Sequence, residues 1–308
     1  MKSATRSYYE SLVARAVAEV RSAVDCAVDL QALGKRAALS PLHFHRIFRG
    51  LVGETPLEMH RRLRLERAAV ALATGDELVT RIAFEAGYET HESFTRAFAG
   101  AFGMPPSEFR ATSSSPPVPW AATTKSTLPT TSGIHFTSPL DAEPVFMPGK
   151  ESHMNVQVVK QPAKRVFAVA HRGPYNAVSE SFAKLDAVVR AAGLHERAGL
   201  GLVAIFHDDP EVTPASELRA DCGVVVPEAI PLPKGLHEYS IPAGLYAKTT
   251  HAGPYQTLGD SWSRFMGSWL VQSGYRVGTG PSYECYLNTP MEVSPDELRT
   301  DLYLSLAE

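Results

Sequence analysis

Residues 78–110 read LVTRIAFEAGYETHESFTRAFAGAFGMPPSEFR, and this stretch decides the fold of the N-terminal part of the chain. Its apolar residues recur at the three- and four-residue spacing of an amphipathic helix on both sides of Gly87 and Tyr88. Glycine at such a point lets the backbone leave one helix and turn before the next. The stretch therefore predicts a helix over 78–86, a turn, and a second helix over about 90–102.

The same helix-turn-helix plan occurs once before, over residues 29–51. A short amphipathic helix is followed by Ser40 and Pro41, which supply an N-cap and a first-turn proline for a second helix. Thr55 and Pro56 begin a third helix in the same way. The N-terminal part is therefore predicted to hold two helix-turn-helix motifs joined by a helix of about 18 residues.

The chain divides at a stretch rich in serine, threonine and proline, residues 113–153. Such a composition lacks the apolar periodicity of helices and strands and is typical of a linker. Before it, residues 1–112 are predicted to form an all-α domain. After it, short valine-rich runs alternate with helical stretches, so residues 154–308 are predicted to form an α+β domain.

The C-terminal part repeats itself with a period of 80 residues. HRGPY at 171–175 returns as HAGPY at 251–255, and ELRAD at 217–221 returns as ELRTD at 297–301. Two motifs in one register indicate a duplicated unit. Each copy reads as strand, helix, strand and strand, which predicts a pseudo-twofold β-sheet with one helix from each half packed on it.

Composition and charge exclude little by themselves. The net charge is −3, but residues 1–112 carry 15 basic and 13 acidic side chains, and the rest of the chain carries 15 and 20. No apolar run approaches the roughly 18 residues of a membrane helix, and charges interrupt the N-terminus, so a cytoplasmic protein with no membrane partner is expected. The cysteines, Cys26, Cys222 and Cys285, lack metal or disulfide spacing and are expected to be buried thiols.

The residues of both motifs resemble the AraC/XylS family of DNA-binding regulators over about residues 7–110. The stretch quoted above carries the resemblance, together with LGKRA at 33–37 and FHRIFR at 44–49. It implies that double-stranded DNA is the partner and that the exposed face of each second helix reads bases in the major groove. The residues at those positions are Leu42, His45 and Arg46 in the first motif and His91, Glu92, Thr95 and Arg96 in the second.

The side-chain chemistry at these positions agrees with base reading. Arginine binds guanine O6 and N7 bidentately, glutamate accepts from cytosine N4, and threonine contacts the thymine methyl group. Ser40 and Arg49 are better placed for phosphates. A connecting helix of about 18 residues spans roughly 27 Å, against roughly 34 Å between successive major-groove faces. One chain is therefore predicted to reach two adjacent grooves and bend the duplex slightly, although the arginines at 61–67 could equally form a solvated helix face.

Residues from about 154 to 306 resemble the GyrI-like effector-binding domain. The resemblance rests on the His-x-Gly-Pro-Tyr motif after a strand, the helix behind it, and YECYLNTP at 283–290. Together with the first resemblance it implies a Rob-type architecture, in which this domain binds hydrophobic or cationic small molecules. An acidic residue at the position of Glu284 would then face the pocket.

The internal repeat tests that acid, because positions 80 apart occupy equivalent places in the two halves. Glu284 corresponds to Ala204 in an apolar strand, where a carboxylate is costly to bury without a partner. Symmetric pairs such as His171 and His251 instead report the fold, and they are too isolated for a metal site, so no metal or cofactor is predicted. The predicted effector site combines the acid with aromatic walls suited to a cation: Tyr175, Tyr255, Trp262, Glu284 and Tyr286.

Two other functions remain open for the C-terminal half. One is hydrolysis of a small molecule, with Glu284 as general base and Tyr255 or Tyr286 as donor. The other is a protein-binding module for a partner such as RNA polymerase. The sequence has no GxSxG motif and no glycine-rich phosphate loop, so a regulator that senses a small effector, rather than an enzyme, is the leading prediction.

Overall fold

The computed structural model describes residues 2–112, 154–194, 201–210 and 212–307. The predicted linker over 113–153 lies outside the described residues. Among those residues no helix combines the length and apolarity needed to cross a membrane. Within the same ranges no three His, Cys, Asp or Glu side chains come together as a metal site.

Helices make up the described N-terminal region, as predicted. The predicted caps are present: the Ser40 side chain accepts a hydrogen bond from the His43 backbone N–H at 3.2 Å, and Thr55 and Glu58 form a capping box. The expectation of a buried thiol is wrong at Cys26, which is exposed just after the first helix. The helices are α1 (Lys2–Ser22), α2 (Leu30–Arg36), α3 (Pro41–Val52), α4 (Pro56–Thr74), α5 (Val79–Glu85), α6 (His91–Phe102) and α7 (Pro106–Thr112).

The two helix-turn-helix motifs belong to different hydrophobic cores. Around Phe44, Ile47 and Phe48, helices α1 to α3 and the first half of α4 form one core, which continues into the C-terminal domain. Around Phe94 and Phe98, helices α5 to α7 and the second half of α4 form a separate one. Helix α4 connects the two cores and has 19 residues, close to the predicted length.

The C-terminal domain contains one eight-stranded antiparallel sheet in the order β1-β6-β8-β7-β3-β4-β2-β5. Helix α8 (Val178–Ala191) lies between β2 and β3, and helix α9 (Leu258–Arg264) lies between β6 and β7. The strands are β1 (Val156–Gln161), β2 (Lys164–Arg172), β3 (Leu202–Phe206), β4 (Arg219–Val226), β5 (His237–Ile241), β6 (Gly244–Ala252), β7 (Tyr283–Tyr286) and β8 (Arg299–Ser305).

The predicted pseudo-twofold symmetry is confirmed, with one strand more in each half than the sequence pattern gave. Strands β1 and β5 precede the predicted units and pair with the opposite half, β1 with β6 and β5 with β2. The strand order reads the same from either edge when the halves are exchanged, so the pseudo-twofold axis passes between β3 and β7. At this axis Ala204 pairs directly with its own symmetry mate, Glu284.

The repeated histidines fix the turns that lead into α8 and α9. His171 Nδ1 lies 3.0 Å from the Ser181 hydroxyl, and His251 Nδ1 lies 2.8 Å from the Ser261 hydroxyl. In each half Nε2 also lies within hydrogen-bond distance of the glycine carbonyl of the Gly-Pro turn. These symmetric residues hold the fold, which agrees with their interpretation from the repeat.

The helix of the second repeat differs from its mate in shape and surroundings. Helix α9 continues as a π-helical segment (Phe265–Leu270) and ends in one α-turn (Val271–Ser273). Helix α8 packs on β2 and β4, whereas the α9 region packs on the sheet with one face and on α1 and α3 with the other. The first helix-turn-helix motif and the second repeat therefore share one core.

Candidate functional site

Glu284 lies in β7 at the pseudo-twofold axis and is only 4% exposed. Its Oε1 accepts a hydrogen bond from Trp262 Nε1 at 2.8 Å, and its Oε2 accepts one from the Tyr286 hydroxyl at 2.9 Å. Burial raises the pKa of Glu284, although both hydrogen bonds and the charge of Arg46 act in the opposite direction. The acid that breaks the repeat is thus buried, with two donors aimed at it.

Aromatic rings from both halves surround this acid. The ring of Tyr255 meets that of Tyr286 edge-on at 5.4 Å, and Phe182 of the first half meets Tyr286 perpendicularly at 5.5 Å. Trp262 is 2% exposed. Four of the predicted effector residues therefore come together: Tyr255, Trp262, Glu284 and Tyr286. Phe182 was missed, although its place 80 residues before Trp262 pointed to it.

Tyr175, the fifth predicted residue, has a structural hydrogen-bond network. Its hydroxyl donates to the backbone carbonyl of Asp208 or Arg219, both at 2.9 Å, and its ring meets Phe206 edge-on at 4.8 Å. Burial raises the pKa of Tyr175 to about 12, while the charge of Arg46 lowers it. Tyr175 is therefore held by the first repeat, and it joins the site only through the nearby charge of Arg46.

Glu284, Trp262 and Tyr286 form the walls of a cleft that a cation of the protein itself fills in this structure. The guanidinium carbon of Arg46, on α3, lies 3.9 Å from the ring centroid of Trp262, and Nη1 donates to the Ser282 hydroxyl at 3.3 Å. Burial lowers the pKa of Arg46 to about 10, while the charges of Glu284, Asp209 and Tyr175 act in the opposite direction. At neutral pH the side chain is still charged, so a planar cation is stacked on the indole beside a buried carboxylate.

Other residues on the same face of α3 also contact the C-terminal domain. His43 Nε2 lies 3.2 Å from the Ser282 hydroxyl, and His45 Nδ1 lies 3.1 Å from Asp209 Oδ2. Arg49 donates to Asp260 Oδ1 at 3.0 Å.

Leu42 is buried as well. The expectation that the Leu42, His45, Arg46 and Arg49 face of α3 is left open is therefore wrong in this structure. The physical reason is that the second repeat offers an apolar helix, and that one acid from each repeat, Asp209 and Asp260, matches this face.

Two glycines allow the close approach of α3 to the α9 region. A Cβ atom on Gly50 would overlap the backbone of Ser263 and Gly267, and one on Gly267 would overlap the backbone of Gly50. Glycine in a helix interior costs roughly 0.5–1 kcal/mol relative to alanine. In both helices this cost in helix stability occurs at the point where the two backbones touch.

The recognition helix of the second motif, α6, has a different environment. His91, Glu92 and Arg96 are exposed and Thr95 is partly buried. Leu78, the N-cap of the neighbouring α5, and Phe84 within that helix are 69% and 59% exposed. This motif presents three of its four predicted base-reading residues to solvent, whereas the Thr95 hydroxyl is buried. Ser40, the predicted phosphate contact of the first motif, is the N-cap of α3.

The sequence contains a signal that the outer face of the α9 region is covered. Positions 186 and 190 of α8 are Asp and Arg and are exposed, whereas their mates at 266 and 270 are Met and Leu and are fully buried. Alanine at 187 likewise becomes Gly267. The same comparison that singled out Glu284 therefore marked the outer face of the α9 region as a contact surface.

Comparison with known proteins finds a matching domain family for each half of the chain. Residues 154–307 match the GyrI-like small molecule binding domain, and residues 33–112 match a helix-turn-helix domain. The chain is 35% identical over 135 residues to a DNA gyrase inhibitor of Escherichia fergusonii, covering 42% of this chain and 85% of that protein. It is 33% identical over 103 residues to an uncharacterized HTH-type transcriptional regulator of Bacillus subtilis, YbfP, covering 33% of this chain and 35% of that protein.

One solved structure is similar to about half of the chain. The crystal structure of a hydrolase from Listeria innocua matches with a TM-score of 0.39 and 12% identity, covering 49% of this chain and 91% of its own. A likeness of that degree says nothing about activity.

A helix-turn-helix region joined to a domain with an acid-lined aromatic cleft defines a DNA-binding regulator with a ligand-binding domain. The chain belongs to the GyrI-like family through its C-terminal half, which follows an AraC-type helix-turn-helix region.

Proposed function

We propose that this chain is a sequence-specific transcriptional regulator whose C-terminal domain senses a small lipophilic cation. The observation that carries the proposal is the buried carboxylate of Glu284, held by Trp262 and Tyr286 inside an aromatic cleft. A carboxylate removed from water needs a positive partner, and in this structure the guanidinium of Arg46 takes that place. A ligand with a cationic head and an apolar body would supply the charge and cover the rings of Tyr255 and Tyr286.

The proposed DNA contacts follow the residues inferred from the sequence. In the second motif Arg96 and Glu92 would read bases from the exposed face of α6. In the first motif Leu42, His45 and Arg46 would read bases and Ser40 and Arg49 would hold phosphates, once α3 leaves the cleft. A contact with RNA polymerase stays a prediction.

Binding fits the cleft better than catalysis. A general base must hold or orient the water that it activates. Both carboxylate oxygens of Glu284 instead accept hydrogen bonds from protein donors. Turnover of a small electrophile by the wild type and not by Glu284→Gln would replace the sensing proposal with hydrolysis.

The ligand proposal is tested by calorimetry with benzamidinium, a planar cation, and benzamide, its neutral counterpart of similar shape. Glu284→Gln keeps the shape of the side chain and removes its charge. We expect the variant to bind benzamidinium at least about tenfold more weakly, which is about 1.4 kcal/mol, and benzamide about equally. Equal affinity of both proteins for benzamidinium would show that Glu284 has no such role.

The DNA proposal is tested by selecting a binding site from random duplexes with the purified full-length protein. We expect a site whose two conserved boxes are about one helical turn apart, because α4 joins the motifs at that reach. Affinity should fall steeply with salt. Absence of any salt-dependent DNA binding would remove the central claim.

A further inference from the structure

We infer that the base-reading face of α3 and a planar cation compete for one cleft, so that binding of the cation releases the first recognition helix for DNA. The inference rests on the proposed function and specifies the regulation of the same site. It follows from three observations: the position of Arg46, the residues covered with it, and the asymmetry of the two repeats.

Arg46 occupies the place that a cationic ligand would need. Its guanidinium stacks on Trp262 at 3.9 Å and is within reach of the charge of Glu284. A ligand cation stacked on the same indole and paired with the same acid would overlap it. Because the guanidinium is flat and delocalised, the ligand class that imitates it is an amidinium or guanidinium on an apolar body.

The covered face is also the face assigned to DNA. His45, Arg46 and Arg49 contact the C-terminal domain in this structure, and Leu42 is buried. A helix with its side chains is about 10–12 Å wide and fills the major groove that it enters. The same face of α3 cannot lie in a groove and on the sheet domain at once.

The helical part of the docking surface is specific to the second repeat. The glycine pair Gly50 and Gly267 lets the two backbones touch, whereas the mate of Gly267 in the first repeat is the exposed Ala187. Met266 is fully buried in the core that the C-terminal domain shares with α1 to α3, whereas its mate Asp186 is exposed. A duplicated domain that served only to bind a ligand would have no reason for this difference on its outer surface.

The polar contacts between α3 and the C-terminal domain pair opposite charges but contribute little net stability. The ion pair of Arg49 with Asp260 is partly solvated, and such pairs contribute little net stability. Helix α1 belongs to the same contact, since the Tyr9 hydroxyl accepts a hydrogen bond from the Val277 backbone N–H at 3.1 Å. Opening would therefore move α1 to α3 together as one unit.

Competition for one cleft makes the two partners of this protein cooperative. A cation binds only the open form, and the first box of the DNA site binds only the open form. By thermodynamic linkage each must raise the affinity for the other by the same factor. The structure thus assigns the cation the role of an inducer of DNA binding by the first motif.

The experiment measures the affinity of the full chain for the selected two-box DNA by fluorescence anisotropy, with and without benzamidinium, and with benzamide as the neutral control. We expect benzamidinium, and not benzamide, to strengthen DNA binding. Gly267→Ala should push α3 off the cleft without altering a DNA-binding or ligand-binding side chain. It should strengthen DNA binding about tenfold or more without any ligand, as expected for overpacking a close contact.

Because Gly267 is fully packed, a second variant keeps the test independent of folding. Asp260→Ala removes the acid that holds Arg49, and the matched control is Glu180→Ala, its exposed mate in the first repeat. We expect Asp260→Ala to strengthen DNA binding about two- to fivefold, in line with a partly solvated ion pair, and Glu180→Ala to leave it unchanged.

The outcomes separate this inference from the proposed function. If benzamidinium binds through Glu284 but leaves DNA affinity unchanged or lowers it, the competition is wrong and the ligand proposal stands. If neither the wild type nor Gly267→Ala binds benzamidinium, the ligand proposal itself fails. Unchanged DNA binding in both folded opening variants would show that the docking of α3 has no regulatory role.

Discussion

The two recognition helices of this protein, α3 and α6, have the same local design and opposite surroundings. Each has 12 residues, begins at a hydroxyl N-cap, and ends at a glycine with positive φ, Gly53 or Gly103. The outer face of α6 is open to solvent, whereas that of α3 lies on the C-terminal domain.

The difference teaches that a helix-turn-helix motif does not itself determine what its recognition helix contacts. A face that offers arginine and histidine suits a phosphate-lined groove. It suits equally a cleft lined with carboxylates and aromatic rings, such as the one formed by Glu284, Asp209 and Trp262. The partner that is present decides between them.

The largest expected effect concerns the two cores. Phe48 and Phe94 are both fully buried, but Phe48 lies in the core shared with the C-terminal domain and Phe94 in the separate core of the second motif. Replacement by alanine should cost about 3–5 kcal/mol at either site. In a Trp120→Phe background, denaturation followed by tryptophan fluorescence should shift in Phe48→Ala and stay in place in Phe94→Ala. Equal shifts would mean that the two motifs unfold as one body.

The two recognition helices can also be compared at the glycine in their tenth position, Gly50 in α3 and Gly100 in α6. A Cβ on Gly50 would overlap the backbone of the α9 region, whereas one on Gly100 would meet nothing within 4 Å. We expect Gly50→Ala to weaken docking by about 1–3 kcal/mol, and Gly100→Ala to stabilise α6 by up to about 1 kcal/mol. Hydrogen exchange should show lost protection at 262–271 in the first variant alone. Protection kept in both variants would contradict this packing.

Arg46 and Arg96 should differ in how much each contributes to the free energy of DNA recognition. Arg96→Ala is expected to reduce discrimination against a mutated second box by about 1–3 kcal/mol. Arg46→Ala should cost less in the ligand-free protein, because the wild-type side chain must first leave the stack on Trp262. Saturating benzamidinium should make the two losses similar. The check is a titration of intact and box-mutated duplexes; an equal loss without benzamidinium would contradict the docking.

The smallest expected effect is a pH dependence confined to the first motif. Burial and the neighbouring charge of Arg46 lower the pKa of His43 to about 3 when α3 is docked. After release the pKa returns to its ordinary value of 6.5, so protonation favours the open form as pH falls below that value.

Between pH 7.5 and 5.5 docking should therefore weaken about tenfold. His43→Gln should lose this part of the dependence, while His45 and the other histidines remain in both proteins. Anisotropy titrations at the two pH values provide the measurement, and identical pH profiles would contradict the role of His43.

Much of the fold was predictable because it rests on local signals and on the repeat. The caps at Ser40 and Thr55 mark where α3 and α4 begin, and the 80-residue period defines the duplicated domain. The valine-rich run at 156–159 indicated β1, but the predicted repeat unit contained neither β1 nor β5. Both strands pair with the opposite half, so their place in the sheet depends on tertiary contact rather than on the repeat unit.

The candidate site was only partly predictable for a related reason. Glu284 stood out because its mate Ala204 lies in an apolar strand, and Trp262 could be placed near it by the same register. The position of Arg46 on Trp262 could not be predicted from the sequence of α3, since a cationic helix face looks the same whether it contacts DNA or protein. It required the packing of two domains whose connection lies outside the described residues.

The place of Glu284 on the pseudo-twofold axis limits how such a domain can arise. Residues 204 and 284 are cross-strand neighbours, and like charges placed directly opposite each other repel. Two separate, identical half-domains associating as a dimer would carry the same residue at both positions, either two acids or none. A single acid facing an alanine therefore requires two halves of different sequence, which the two repeats of one polypeptide provide. Each domain then offers one anionic site despite having two halves of the same fold.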